Sequence, residues 1–298
     1  MKNLLIILNP AAHSDKAGRL PEQIREVSGD VEMRLSSMPG DAELIARSSV
    51  KEGFSTIVAA GGDGTINEVM NGIISAGGQD VTLGILPVGT MNVFAVELGI
   101  PLHSLKKAWQ IIMTGEVRRI DLPICSAEGV ERCFVQLAGA GLDAEVVRRT
   151  TRESKKALGP LSYLLSLAQV AGQKPPPITL KSHDGALRNG SFVLLGNGRF
   201  YGGPFTMFRQ GSQVDGLLDV LVFQSQGPWD LLRYMHAILM GQHAELKDVE
   251  YFQTSSLELS SEEPVPYELD GEMVGYLPVT ISLRAGAFSV LAPGPIAG

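Results

Sequence analysis

The sequence predicts a two-domain protein, with an N-terminal α/β domain built on a parallel sheet and a mostly antiparallel β C-terminal domain. Its 298 residues fit two domains better than one. In the first part of the chain, apolar runs alternate with helical patterns, which favours a parallel sheet with helices on both faces. From about Val117, short apolar runs recur between glycine and proline turns, which is typical of antiparallel strands.

The N-terminal elements are predicted in βαβ order. Strands are expected at 4–8, 31–35, 56–60 and 81–86. Helices are expected at 16–27, from Gly40 onward, after the glycines at 61–64, from 92 to the stop at 99–101, and at 104–114, where Ser104 is the cap. We expect the N-terminal domain to span residues 1–120.

The C-terminal domain is expected to span 121–285, followed by a tail at 286–298 that can return to the first domain. The strands predicted from Val117 onward are 117–121, 133–138, 178–181, 192–195, 218–223, 257–259, 279–283 and 288–291. Two helices are predicted among them, at 153–170 and 228–241.

Composition limits the partners and the compartment. The net charge of −7 and the pI near 5.3 argue against an extended nucleic-acid surface, which would be basic. Cys125 and Cys133 are too few for a disulfide scaffold, so we expect buried thiols in a reducing cytoplasm. No apolar run approaches the roughly 20 residues needed to span a bilayer, so any membrane contact is expected to be peripheral.

The segment GGDGTINE at 61–68 predicts a phosphate-binding turn. It joins an apolar strand to a helix, and glycine backbone lets a ligand approach the free amides of a helix start. Thr65 is predicted as the N-cap, with Glu68 completing a capping box. An acid among phosphate-binding amides, Asp63, suggests a metal or positioning role.

Two further turns are predicted at the same edge of the sheet. Asn9-Pro10 follows the first strand and Gly89-Thr90 follows the fourth, and ligands of parallel sheets bind at the carboxyl ends of the strands. Hydroxyls at Thr65 and Thr90 add hydrogen-bonding groups to this edge.

Two acids near the C-terminus are candidates for proton transfer. Asp270 and Glu272 alternate in a strand-like segment, so their side chains are expected on one face, with Gly271 leaving room for a substrate. A carboxylate can take the proton of an acceptor alcohol. The alternative is a plain turn.

Several segments occur in an order that resembles the catalytic domain of the diacylglycerol kinase family, bacterial lipid kinases related to sphingosine kinases and NAD kinases. The resemblance runs nearly end to end. Its segments are Asn9-Pro10, GGDGT with Asn67-Glu68 and Asn71-Gly72, LPVGTMNVFA at 86–95, GAGLDA at 139–144, Gly196-Asn197-Gly198, YGGP at 201–204, DGLLD at 215–219, and Asp270-Gly271-Glu272.

The resemblance implies a nucleotide site between an α/β domain and a β-sandwich, with transfer of the terminal phosphoryl group of ATP to a lipid hydroxyl in the presence of magnesium. By position, the nucleotide would be lined by Asn9, Pro10, Ser37, Gly61, Gly62, Asp63, Gly64, Thr65, Ile66, Asn67 and Thr90. The metal would be held by Asp215 with backbone oxygens of Ser212 and Leu217, for which a hairpin turn is the alternative. Glu272, with Asp270, would be the general base, and Asp63 would organise the phosphate and metal site.

One position departs from the family pattern, because Val93 stands where an aspartate usually follows the asparagine. Two alternatives therefore stay open. The first is an NAD kinase-like enzyme acting on a soluble acceptor, which the GGDGT motif fits. The second is a non-catalytic lipid- or nucleotide-binding regulator. The missing acid at Val93 supports this alternative, whereas the retained Asp63 and Glu272 argue against it.

The basic segment 148–156 precedes an apolar helical pattern, which makes it a candidate for membrane contact. The alternative is a packed helix with a solvated basic end. The expected partners are therefore ATP and a lipid alcohol at a membrane surface, without nucleic acid. The sequence leaves a homodimer open.

Overall fold

The computed structural model describes residues 3–12, 19–149, 175–203 and 205–294. The chain divides into two compact units, the first within Met1–Leu122 and Gly286–Gly298 and the second within Pro123–Ala285. The predicted helix at 153–170 and residues 150–156 of the basic segment lie outside the described residues.

The first unit is an α/β domain. Its strands are β1 (Leu4–Leu8), β2 (Glu32–Leu35), β3 (Thr56–Gly61), β4 (Thr82–Pro87) and the start of β5 (Glu116–Ala127). Its helices are α1 (Leu20–Ser28), α2 (Asp41–Lys51), α3 (Asp63–Ser75), α4 (Val93–Glu97) and α5 (Leu105–Thr114), with a 3-10 turn at Pro10–Ala12. Ser104 caps α5 as predicted, since its hydroxyl accepts the amide of Lys107 at 3.3 Å.

The parallel sheet of this unit has the strand order β2-β1-β3-β4. Ser289 and Val290, near the end of the last strand of the chain, extend it by pairing in parallel with β4. All six residues of β3 are buried, as expected for a strand covered on both faces. The predicted parallel α/β domain is confirmed.

The second unit is a β-sandwich with helices on one outer face. Its strands are β6 (Val130–Cys133), β7 (Leu137–Ala140), β8 (Ile178–Ser182), β9 (Leu187–Gly190), β10 (Phe192–Gly196), β11 (Phe200–Tyr201), β12 (Phe205–Thr206), β13 (Leu218–Phe223), β14 (Val249–Thr254), β15 (Ser256–Ser260), β16 (Pro266–Leu269), β17 (Glu272–Tyr276) and β18 (Val279–Ala292), whose last residues belong to the first unit. Its helices are α6 (Leu142–Arg149) and α7 (Pro228–Leu239), with a 3-10 turn at His243–Glu245.

Antiparallel pairing builds both sheets of the sandwich. One sheet has the order β14-β13-β10-β7-β16-β17, and the other contains β18-β15-β8-β9. Val193 and Leu195 of β10 face the core between the sheets, whereas the alternate residues Phe192 and Leu194 face α6 and α7. This two-residue period explains why a nearly continuous apolar run is buried on both sides. The predicted mostly antiparallel second domain is confirmed.

The two cysteines are buried free thiols, as predicted. Burial raises the pKa of Cys125 to about 11 and that of Cys133 to about 12. None of the helices in the described part of the chain is long and apolar enough to cross a lipid bilayer.

The prediction of one strand at 133–138 is wrong, because residues 134–136 are not part of a strand. The chain leaves β6 at Cys133 and enters β7 only at Leu137, because the amides of Val135, Gln136 and Leu137 bond to the carboxylate of Asp270. A side chain far along the sequence therefore takes donors that a continuous strand would have given to a neighbouring strand.

The two strands predicted at 279–283 and 288–291 are parts of one strand, β18.

Candidate active site

Two glycine turns of the first unit lie in contact at the carboxyl ends of β3 and β4. A Cβ atom added to Gly89 would lie 2.3 Å from Gly62 Cα, and one added to Gly61 would lie 2.4 Å from the Thr65 side chain. Both distances are far below ordinary contact. Gly89 therefore allows the two turns to approach, and Gly61 allows the first turn to pack against Thr65. The two motifs that the sequence separates by about two dozen residues therefore form one backbone surface.

Replacing Gly89 by alanine is expected to lower the free energy of unfolding by about 2–3 kcal/mol, because the new methyl group meets backbone that must shift. Urea denaturation measures this loss. The control is Gly53→Ala, where φ is +88° but no described heavy atom lies within 4 Å of the added carbon. That variant should lose only about 1 kcal/mol, from the left-handed backbone alone. Equal losses would contradict the close packing of the two turns.

The amino-terminal end of α3 faces this surface. Its N-cap is Gly62, which offers no side-chain acceptor, so no side chain caps the helix. The first amides of a helix lack intrahelical acceptors and carry a partial positive charge. Such an end suits a phosphate oxygen.

The predicted capping box at Thr65 and Glu68 is wrong. The helix begins at Asp63, which places Thr65 inside its first turn. Glu68 instead accepts the amides of Gly40 at 2.9 Å and Ala42 at 3.1 Å, and so caps the neighbouring helix α2. Glu68 is thus a capping acceptor, but the amides that it accepts lie at the start of another helix.

Removing that cap with Glu68→Ala is expected to lower the free energy of unfolding by about 1 kcal/mol, the usual loss for an N-cap acceptor. Thermal unfolding followed by circular dichroism measures it. Glu26→Ala, an exposed glutamate on α1, should leave the unfolding temperature almost unchanged. A Glu68 variant as stable as the Glu26 variant would show that the cap contributes nothing.

Other residues expected at the nucleotide lie around the same turns. The Asn9 side chain donates to Thr65 Oγ1 at 3.1 Å and accepts the amide of Ala11 at 3.0 Å, which ties the turn after β1 to α3. Thr90 is exposed on the second turn. The structure therefore brings Asn9, Thr65 and the glycine turns together.

Three expected nucleotide residues are engaged differently. Ser37 is exposed after β2, and its amide and hydroxyl donate to Asp41 Oδ2 at 2.7 and 2.8 Å. Ile66 is fully buried in the core, and Asn67 accepts a hydrogen bond from Asn71. The side chains of Ile66 and Asn67 thus serve the interior of the unit, and any ligand contact by them stays a prediction.

Asp63 links the two glycine turns. Its two carboxylate oxygens accept the amides of Val93 at 3.1 Å and Phe94 at 3.0 Å, at the start of α4. Burial raises the pKa of Asp63, while the hydrogen bonds from Phe94 and Val93 oppose that rise. The backbone amides of Asn92 and of Asp63 itself also stabilise this carboxylate. The side chain is therefore held by backbone donors, and its contact with a ligand stays a prediction.

The departure at Val93 has a structural consequence. Its side chain is only 5% exposed, whereas its amide serves Asp63. The preceding Asn92 adopts a left-handed conformation, with φ of 52°. Its side chain accepts the amide of Gly89 at 3.0 Å and donates to the carbonyl of Gly89 at 2.8 Å. The turn therefore keeps its shape without an acid at residue 93.

In the second unit, Asp270 and Gly271 form the two-residue turn of the β16–β17 hairpin. Both have positive φ, 49° and 82°, as in a type I′ turn. The expectation that Asp270 and Glu272 alternate along one strand face is wrong, because Asp270 precedes β17. The alternative of a turn is confirmed.

The carboxylate of Asp270 anchors this hairpin to the segment before β7. It accepts the amides of Val135, Gln136 and Leu137 at 2.8, 2.9 and 3.1 Å. Three amide donors stabilise the ionised form and fix the carboxylate in place. Its contact with a substrate stays a prediction.

Glu272 begins β17 with an exposed side chain. It is paired with Leu269 across the hairpin, next to Gly271, where an added Cβ would meet no described heavy atom within 4 Å. A carboxylate at the end of a braced hairpin, beside open space, is well placed to meet a ligand.

A buried pair of acids that was not predicted from the sequence lies behind this hairpin. Glu268 of β16 is fully buried, and its Oε2 accepts the amide of Gly271 at 2.6 Å. Its other oxygen lies on the same side of Gly139 as the carboxylate of Asp143, in the first turn of α6. The signal was present, since Glu268 interrupts the apolar run around Tyr267 and Leu269.

The loop before β13 contains the expected magnesium ligands. Asp215 is exposed, and its Oδ1 accepts the amide of Leu217 at 3.0 Å. The alternative of a hairpin turn is wrong, because β12 and β13 on either side of this loop do not pair with each other. In the described residues, no three His, Cys, Asp or Glu side chains cluster as metal ligands. A site made of one carboxylate and backbone carbonyls does not need them.

The donor chemistry of this loop fits magnesium. Asp215 and the carbonyls of Ser212 and Leu217 offer only oxygen, which Mg²⁺ prefers, and water can complete the shell. Nearby, Asp219 is buried, and its Oδ2 has no hydrogen-bond partner in the described part of the chain. Burial, with the added charge of Asp215, raises the pKa of Asp219 to about 6. A cation at this loop would offset that clustered negative charge.

Comparison with known proteins agrees with this arrangement. The profile of the diacylglycerol kinase catalytic domain matches residues 3–125, and that of the YegS C-terminal NAD kinase beta sandwich-like domain matches residues 136–292. The chain belongs to this family of lipid kinases. The matches cover both units that carry the glycine turns and the acids.

Individual members of the lipid kinase family align over most of their length. The diacylglycerol kinase of Bacillus subtilis is 29% identical over 286 residues, which cover 93% of this chain and 92% of that protein. The lipid kinase YegS of Escherichia coli K12 is 29% identical over 252 residues, or 84% and 82% of the two chains. A Bacillus anthracis diacylglycerol kinase crystal structure superposes with a TM-score of 0.78 at 25% identity, over 100% of this chain and 99% of the other.

Proposed function

We propose that the protein is an ATP- and magnesium-dependent lipid kinase that transfers the γ-phosphoryl group to a lipid hydroxyl, with a diacylglycerol-like alcohol as acceptor. The observation that carries the proposal is the bridge from Asp63 to the amides of Val93 and Phe94. It joins two glycine turns and a helix end without a side-chain cap into one phosphate-binding surface. Membership in the lipid kinase family supports the reaction class.

In the proposed reaction, the residues supply positioning and charge rather than covalent chemistry. The amides of Gly64 and Thr65 would hold phosphate oxygens, and the hydroxyls of Thr65 and Thr90 would add hydrogen bonds. A bond forms between the acceptor oxygen and the γ-phosphorus, the bond from that phosphorus to the bridging oxygen breaks, and ADP leaves. Glu272 would take the hydroxyl proton.

Magnesium, when bound, would neutralise the negative charge of the ATP phosphates and of the acids at the loop before β13. Asp215 with the carbonyls of Ser212 and Leu217 would hold one ion. Asp63 would organise the phosphate and metal site by fixing the start of α4 against the first glycine turn. The acceptor is a membrane lipid in this proposal, so we place the protein in the cytoplasm with peripheral membrane contact.

The test is transfer of labelled γ-phosphate from ATP, with extracted bacterial lipid and NAD offered in separate reactions. We expect label in the organic phase with lipid, no label on NAD, and loss of transfer when EDTA removes magnesium. Label on NAD alone would support the NAD kinase-like alternative. ATP binding with no transfer to either acceptor would support the non-catalytic regulator. Either of these two results would overturn the proposal.

A further inference from the structure

A buried pair of acids, Glu268 and Asp143, lies directly behind the hairpin that carries Glu272. Glu268 is fully buried on β16, in register with Gly139 of β7. Asp143 belongs to the first turn of α6. Neither side chain has an arginine, lysine or histidine partner among the ion pairs of the described residues.

Two oxygens of this pair face the same point. A Cβ atom added to Gly139 would lie 2.4 Å from Asp143 Oδ2 and 3.0 Å from Glu268 Oε1. Both oxygens are buried, and with both acids ionised neither has a hydrogen-bond donor in the described part of the chain. Two buried acceptors without a donor are costly, and one proton held between them satisfies both.

The other contacts indicate which acid holds the proton. Burial raises the pKa of Asp143, but the hydroxyl of Tyr201 donates a hydrogen bond to Asp143 and opposes that rise. Burial, followed by the charges of Asp143 and Asp270, raises the pKa of Glu268 well above its ordinary value. The tyrosine of β11, the aspartate of α6 and the aspartate of the turn thus all favour a neutral Glu268 beside a charged Asp143.

The pair is connected to the turn through the other oxygen of Glu268, which accepts the amide of Gly271 at 2.6 Å. The carboxylate of Asp270 fixes the preceding residue of the turn. Glu272 is the next residue along the chain. Its backbone position is therefore set by hydrogen bonds at both residues of the turn.

We propose that Glu268 and Asp143 share one proton and, as a singly charged pair, act as positioning residues that hold the Asp270–Gly271 turn and thereby aim Glu272. The inference rests on the proposed function for the role of Glu272. Glu268 is not a catalytic residue in this account, because it acts through the backbone of Gly271.

The test compares Glu268→Gln with Glu268→Ala. The glutamine amide can donate to Asp143 while its oxygen still accepts the amide of Gly271, so kcat should stay within about twofold of wild type. Alanine removes both bonds, and kcat should fall by about tenfold or more, with the KM for ATP unchanged. A glutamine variant as impaired as the alanine variant, or an alanine variant with wild-type kcat, would overturn the positioning role.

Two spectra test the pair without any substrate. Infrared difference spectra between wild type and Glu268→Gln should show the C=O band of a protonated carboxyl group at neutral pH. The NMR signal of the Gly271 amide proton should lie further downfield in wild type and Glu268→Gln than in Glu268→Ala, which lacks the acceptor for this amide. Asp143→Asn, which can donate to Glu268 through its new amide, should keep this signal and lose the infrared band. Absence of the band from wild type would refute the shared proton.

A control in the same unit separates the effect of lower stability on kcat from the effect of a displaced Glu272. Ile281→Val, in the core between the sheets, should lower the free energy of unfolding by about 1 kcal/mol and leave kcat unchanged. If wild type transfers no phosphate, the proposed function fails, and with it the role of the pair in aiming Glu272 for catalysis. The spectra then still decide whether the proton is shared and whether Gly271 depends on Glu268.

Discussion

Replacing Glu272 by glutamine is expected to lower kcat about 100- to 10,000-fold, the range usually supplied by a general base. The substitution keeps the shape of the side chain but removes the carboxylate that would accept the proton of the acceptor alcohol. Because the side chain is exposed on β17 and no hydrogen bond holds the fold through it in the described residues, the unfolding temperature should not change. Steady-state kinetics at saturating ATP and lipid measure the effect.

The matched control is Glu262→Gln, which changes another exposed glutamate, in the loop before β16. It removes the same charge from the same unit and should retain wild-type kcat. If both variants keep wild-type activity, Glu272 is not the base. If both lose activity equally, net charge rather than proton transfer explains the loss.

Replacing Asp63 by asparagine is expected to lower both activity and stability. One of the amides of Val93 and Phe94 would face an N–H group instead of an oxygen, and an unpaired amide in this part-buried site costs about 1–3 kcal/mol. Activity should fall at least about 100-fold, because the charge that would orient the phosphate and metal is lost. Urea denaturation and label transfer from ATP measure the two effects.

Asp230→Asn provides the comparison for the Asp63 variant. Asp230 also accepts a backbone amide at a helix start, that of Gly227 at 3.2 Å, but it lies on α7, far in sequence from the glycine turns. We expect a small loss of stability and unchanged turnover. An Asp63 variant that loses stability but keeps wild-type turnover per folded molecule would reduce Asp63 to a helix cap.

The α/β fold of the first unit could be predicted because its signals are local. Buried parallel strands such as β3 are short apolar runs, and glycine turns mark their ends. The same reasoning predicted the cap at Ser104, where acceptor and donor are three residues apart. It failed at Glu68, whose acceptor oxygens serve amides 26 and 28 residues away on another helix.

The hairpin at Asp270 shows why the second unit was harder to predict. Alternation of two acids around a glycine fits either a strand or a turn, and only the amides of residues 135–137 decide between them. Those donors lie more than 130 residues earlier in the chain. Pairing of Glu268 with Asp143 is equally non-local, so neither could be read from periodicity.

The most direct measurement is the mass of the lipid product after incubation with ATP and magnesium. The account predicts that wild type adds one phosphoryl group to a lipid alcohol and releases one ADP for each lipid phosphorylated. The Glu272→Gln and Asp63→Asn variants should form this product at least about 100-fold more slowly. Release of ADP without a phosphorylated lipid, or product formed at wild-type rate by both variants, would contradict the account.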